Sequence, residues 1–451
     1  MKPALDILIP KNLESVSRYI LGILEKRWDV RFSIQTQPLS HYLFSVSEKS
    51  SVSFPALFIQ SEQNQWLAKR SALSFFIHEV ALSSETDRSP VLALKTDEYS
   101  PETCDPVGTL FLLFSRYEEH VLAGENQHDS LNRFSPNSSL FSNYLNHPIA
   151  DELIEQLRKF LNSQLKCSIK PKESIFNILP SHDVDRPFEF LYYTFPHLLK
   201  RLGGDLILRK SPKQALNRLN YVRKVKSGDL AADPNNTFNW IMSASENAGR
   251  TSTFYFLTDV TNPAYDHDYD LSNHEIQSLI KEISGRNHEI GLHPSFRSSE
   301  IPGQVAKEAD LLRKTLHHHG ISDKLLKSRY HYLRWNSNSV SELEKAQIQI
   351  DQTLGYAQKP GFRCGTCHSF PAFNFEKMCT SSLIIEPLII MEQSLISPAY
   401  LDLRDDLAEA WNIVSHLKSE CKKHGGNFTI LWHNDHLKED DLKDFYLNCI
   451  S

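Results

Sequence analysis

No stretch of this 451-residue sequence stays apolar for long. The richest run, Leu383 to Ile390, is broken by Glu386 and falls far short of the ~20 residues that cross a bilayer. The opening Met1-Lys2-Pro3-Ala4-Leu5-Asp6 lacks the apolar core of a signal peptide. Positive charge is not in excess: a net charge of −6 argues against a dedicated nucleic-acid binder. Seven cysteines, an odd number spread thinly, do not make a disulfide framework and point to a reducing compartment. The cytoplasm is the expected location. Cys364-x-x-Cys367 has neither a second pair nor a thioredoxin-like setting, which weighs against a zinc knuckle or a redox motif. No internal repeat of fixed period is present.

What the sequence does contain is ordinary globular material, 40% apolar and 23% charged, in a length that implies two or three domains. Residues 1–167 read as one α+β unit. Pro10 to Leu24 is an expected helix, with Leu13, Val16, Ile20 and Leu24 at helical spacing, and Ser53 to Ile59 an expected strand. Leu110 to His120 reads as helical, Asn126 to Ser142 as an exposed loop, and Asp151 to Leu165 as an amphipathic helix. Residues 168–174, with Lys170-Pro171-Lys172, form the expected linker. From there to residue 451 short strands alternate with helices. The strands are Ile175–Leu179, Thr253–Leu257, Glu289–Leu292, Leu383–Met391 and Phe428–Leu431, and Pro302 to His319 is a helix between two of them. That alternation implies a parallel sheet or barrel whose function sits at the C-terminal ends of the strands. About residues 192–226 the pattern is interrupted by a basic, leucine-bearing insertion suited to an anionic membrane or substrate.

The polar motifs fall where the strands end. Ser181-His182-Asp183-Val184-Asp185 sets two carboxylates one residue apart on an extended backbone, so both point one way. Like charges that close need a cation or a shared proton, which suits a metal site with an adjacent general base. Such a pair also occurs in plain turns. His293, in Gly291-Leu292-His293-Pro294-Ser295, offers imidazole to the same centre, and carboxylate with imidazole suits zinc or a similar divalent ion. Ser328-Arg329-Tyr330-His331-Tyr332-Leu333-Arg334-Trp335 packs cationic forks and aromatic faces together, the chemistry of sugar recognition. Arg329, Tyr330, Arg334 and Trp335 are expected substrate contacts, joined by Trp432, with His331 a third metal ligand or a further contact. Arg363 is expected to orient a catalytic carboxylate by ion pairing. His433, after the last strand, suits a general acid.

In this order, the motifs resemble those of the polysaccharide deacetylase family, the NodB-homology carbohydrate esterases, over about residues 174–451. Thr353-Leu354-Gly355-Tyr356, Gly361-Phe362-Arg363-Cys364-Gly365-Thr366-Cys367 and Leu431-Trp432-His433-Asn434 narrow the likeness to a bacterial branch. Phe114-Ser115-Arg116-Tyr117-Glu118-Glu119 looks like the signature of that branch's N-terminal domain. The resemblance implies an α/β fold, a distorted (β/α)7 barrel preceded by a smaller α+β domain. It also implies metal-dependent N- or O-deacetylation of a sugar, polysaccharide or glycan precursor. Carried over by position, Asp183 would be the general base, Asp185 and His293 metal ligands, Arg363 the residue that positions the base and His433 the general acid. Val184 separates the aspartates where the family has them adjacent, so base and ligand could be exchanged. Arg297 stands where the family has another histidine, leaving His331, His182 or water to complete the site. The competing readings are a catalytically weak carbohydrate-binding or scaffold barrel and a hydrolase of a non-sugar amide.

Overall fold

The computed structural model describes residues 4–47, 50–57, 75–81, 88–94, 100–122, 127–266 and 269–451. The chain divides into two compact units, Met1–Asn177 with Tyr332–Thr429, and Ile178–His331 with Ile430–Ser451. Both mix helices with sheets.

The second unit carries the Asp-x-Asp motif. Strand Asn177–Val184 lies beside Thr253–Phe256, then Glu289–Leu292, then Lys327–Ser328, all parallel in that order; Asn427–Leu431 flanks the first strand on its other side. Among the described residues no pairing closes this sheet into a barrel. Strand burial is nearly continuous, as expected where both faces of a parallel sheet are covered. The expected strand Ile175–Leu179 is displaced: Ile175 is exposed, and the ladder instead runs through the motif, with Asp183 opposite Tyr255 and Val184 opposite Phe256. Helix Gln304–His318 follows the third strand and buries Val305, Ala309, Leu312 and Leu316, the 3.6-residue stripe that its sequence presents. At Gly291 a side chain would strike the Tyr255 ring on the neighbouring strand, so glycine leaves the room that this ring fills.

In the first unit, the sheet order is Arg31–Gln37, Ala4–Pro10, His41–Ser47, Ser50–Pro55. The expected opening helix begins later, as Glu14–Arg27, because Ala4–Pro10 alternates buried and exposed residues as a strand. The last residues of the expected strand Ser53–Ile59 lie outside the described residues. Helix Pro106–Ser115 stops at Arg116, whose φ of 56° turns the chain before Tyr117–Val121. Helix Ile149–Leu165 buries Leu153, Ile154, Leu157, Leu161 and Leu165. The segment expected as an exposed loop up to Ser142 is largely irregular and only partly exposed: Ser130, Asn132 and Asn137 face solvent, while Phe134, Pro136 and Phe141 are buried and Arg133 is tied to Asp129. All seven cysteines are free thiols, and burial pushes Cys364 up to about 12.

Candidate functional site

Four strand ends of the second unit supply the polar side chains. Asp183 and Asp185 come from the first strand and the residue beyond it, His293 follows Glu289–Leu292, and His331 follows Lys327–Ser328. His433 follows Asn427–Leu431. Asp185 is their meeting point. Its Oδ1 lies 3.2 Å from His293 Nε2, and its Oδ2 lies 3.6 Å from both His331 Nε2 and His433 Nε2. Asp183 Oδ2 is 3.6 Å from His293 Nε2.

The imidazoles of His293 and His331 are each oriented from behind. His293 Nδ1 donates to the Arg329 carbonyl oxygen, and His331 Nδ1 donates to Asp266 Oδ1 at 2.9 Å. Those acceptors fix the tautomer: a neutral ring then carries its lone pair on Nε2, aimed at Asp185. Asp266 is itself held by the backbone N–H groups of Thr261, Asn262 and Phe296. Burial would raise its carboxyl, but His331 and those N–H groups bring it down to about 2. Glu308 accepts from Ser295 N and Oγ and so fastens the turn after His293. Burial opposes charge on Asp185 as well, yet His331 and His293 hold it well below the ordinary carboxylate range. Burial would lower His331, but Asp185 and Asp266 outweigh it and push the imidazole up to about 9.

Asp185, His293 and His331 bring one donor atom each within 4.8 Å of one another. A divalent ion fits them on this structure's own terms. Asp185 Oδ1 and His293 Nε2 are buried and, although close, are not aligned as a hydrogen bond with each other or with any other group. Two imidazoles and a carboxylate with outer hydrogen bonds in place form a donor set for zinc or a similar ion. Within the first unit, two groupings, Asp151–Cys367–His368 and His147–Glu152–Glu420, meet the same distance limit. In the former, Asp151 already accepts from Arg27, Thr366 and the Cys367 N–H.

Some expected roles are reassigned. The arginine on Asp183 is Arg329, at 2.9 Å, and its Nη2 also donates to Ser181 Oγ at 2.7 Å. Arg363 instead gives its guanidinium to Glu119 and to the Gly355 carbonyl, within the first unit. Arg329 is fully buried, its guanidinium stacked 4.7 Å over Tyr255, so it is not a substrate contact. Tyr330 and Trp432 are core side chains, the latter packed on Phe445 and Tyr446. Arg334 and Trp335 are buried in the first unit, with Arg334 Nε donating to the Leu131 carbonyl. His182 points away, bonding the Trp432 carbonyl and the Tyr446 hydroxyl, and Arg297 is an exposed partner of Glu300. A cleft of about 310 Å³ is lined by Asp185 together with Tyr192, Tyr193, His197, Asn235 and Tyr269 among others.

Residues 5–166 match the model of a family of unknown function, DUF7033. No curated protein matches the sequence. Among solved structures, a candidate polysaccharide deacetylase from Mycobacterium smegmatis aligns at 12% identity and a TM-score of 0.38, over 62% of this chain and 86% of the other. The polysaccharide deacetylase Bc1974 from Bacillus cereus aligns at 12% identity and a TM-score of 0.29, over 62% and 87%. Overlaps this loose say nothing about chemistry. Among the described residues, no helix is long and apolar enough to cross a membrane.

Proposed function

We propose that this chain is a metal-dependent hydrolase that removes an acyl group, with acetyl on a sugar or glycan precursor as the substrate class. One observation carries the reading: a carboxylate and two pre-oriented imidazoles converge from three strand ends on one point, and that carboxylate also lines a cleft. Asp185, His293 and His331 would hold a divalent ion, zinc by the chemistry of the donors. When bound, such an ion supplies Lewis acidity toward an acyl carbonyl and toward water. The protein does the rest. Asp183, gripped through one oxygen by Arg329, keeps the other toward the centre and accepts the proton of the attacking water. His433, beside Asp185, gives a proton to the departing amine or alcohol. Tyr192 and Tyr193 line the cleft, aromatic side chains of the kind that a sugar packs on. The order of the motifs supports the deacetylase reading and, with it, a distorted (β/α)7 barrel.

Acetate release from N- and O-acetylated sugars by the zinc-loaded chain tests this. Asp183→Asn is expected to lower the rate by about 10²- to 10⁴-fold while leaving metal content unchanged. Sugar binding without acetate release would mark a scaffold, and release only from non-sugar amides would move the substrate outside the glycans.

A further inference from the structure

Between Tyr192 and Lys226 nine Lys and Arg stand against one acid, in a chain whose net charge is −6. That acid is consumed internally: Asp205 is buried and accepts from Arg209 Nη1 at 2.8 Å and Arg218 Nε at 2.7 Å. The segment folds as helix Phe195–Gly203, a π-helical turn Gly204–Leu208 and helix Pro212–Lys226, which pack on one another. Ala215, Val222 and Val225 are buried, and Val222 and Val225 cluster with Phe190 and Leu198. The other side of this helix is not the polar surface that water alone would favour. Lys213, Leu216, Leu219 and Arg223 succeed one another at helical spacing, and all are exposed. Phe195 and Leu199 of the first helix are also exposed, and Ile207 and Leu208 of the turn are 75% and 83% accessible.

We propose that this face docks on an anionic lipid bilayer. Large apolar side chains among cations match an interface that is apolar beneath and negative above. Lys200, Lys210, Lys213, Arg223 and Lys224 are all exposed and able to reach anionic head groups while the leucines enter the acyl boundary. A second copy of the chain is the poorer occupant, because like-charged faces repel. The first of these helices lines the cleft that holds Asp185, through His197 and Arg201, and Tyr193 just before it lines the cleft too. A substrate borne by the membrane would reach the centre along that cleft. That extension rests on the hydrolase reading; the docking does not, and a vesicle measurement reads docking alone.

The test is co-sedimentation of the full chain with vesicles of phosphatidylcholine, with and without phosphatidylglycerol. The chain is expected to bind the anionic vesicles, about tenfold or more tighter than the neutral ones, and to be released by high salt. Ile207→Ser with Leu208→Ser, and separately Lys210→Glu with Lys213→Glu, are expected to abolish binding while leaving the melting curve unchanged. A folded wild-type chain that ignores anionic vesicles, or binding that survives both double variants, overturns the proposal. So does a dimer in sedimentation velocity that Leu208→Ser dissolves, since the face would then be a self-interface.

Discussion

At Asp185 a single carboxylate faces three imidazoles, and what surrounds those imidazoles decides what it can do. Asp266 orients His331 and is held in turn by three backbone N–H groups. Asp266→Asn is therefore expected to weaken zinc affinity by about 10- to 100-fold with the ligands themselves intact, measured by competition with a chromogenic chelator. Unchanged affinity would remove Asp266 from the site. Arg329 joins Asp183 to Ser181 in full burial, so Arg329→Met is expected to cost about 3–5 kcal/mol in urea unfolding, the penalty of a buried charge left alone. Much of this site could be read from residues alone, because a period of two on an extended strand points Asp183 and Asp185 together and strand ends collect His293 and His433. Which arginine meets Asp183 could not: Arg329 and Arg363 both lie in aromatic, glycine- or serine-flanked motifs, and only register distinguishes them. Tyr330 and Trp432 were misread because an aromatic beside a polar motif has the same signature whether it lines a cleft or fills a core. Asp266 and Glu308 left no signal beyond their places in or near loops that follow strands, which many acids share.

Among the elements, the helix break at Arg116 is the counterpart of the motif at Arg363. Arg116 donates to Glu118 and Glu119 and to the Arg363 carbonyl, while Arg363 grips Glu119, all in burial. Burial would raise the Glu119 carboxyl, but Arg363 and Arg116 hold it below its usual range. This network explains both the Phe114–Glu119 signature and the arginine in Gly361–Cys367 as structure. Asp151, near the start of helix Ile149–Leu165, is similar: burial opposes its charge, and Arg27 foremost holds its carboxyl well below the usual range. A depressed carboxyl contributes stability that is present above its unfolded value, about 4, and is lost as pH falls through the folded value. Asp151→Asn is accordingly expected to lower Tm at pH 7, with the gap from wild type narrowing toward pH 3. A gap independent of pH would contradict this. The helical stripes were legible because burial enforces their period. The shift of the first long strand was not, since Ile175 and Ile178 are equally apolar and only the pairing of Asp183 with Tyr255 sets the register.

For the whole molecule, the later chain contributes to both compact units. Tyr19 and Phe111 pack against Phe373, and Phe114 against Phe370, all within the first unit. A fragment of residues 1–167 would lack these partners, so it is expected to bind a hydrophobic dye and to melt without cooperativity. A sharply melting monomer would show that the region matched by the DUF7033 family stands alone. The second unit gathers Asp185, His293 and His331 from distant points along the chain, and that gathering supports the central proposal, that these three would hold one divalent cation. The direct measurement is metal content by mass spectrometry of the purified full chain beside His331→Ala and Asp185→Ala. The account predicts close to one zinc per wild-type chain and near none in either folded variant. Stoichiometric metal retained by both variants, or a wild-type chain that takes up none from zinc-containing buffer, would contradict it.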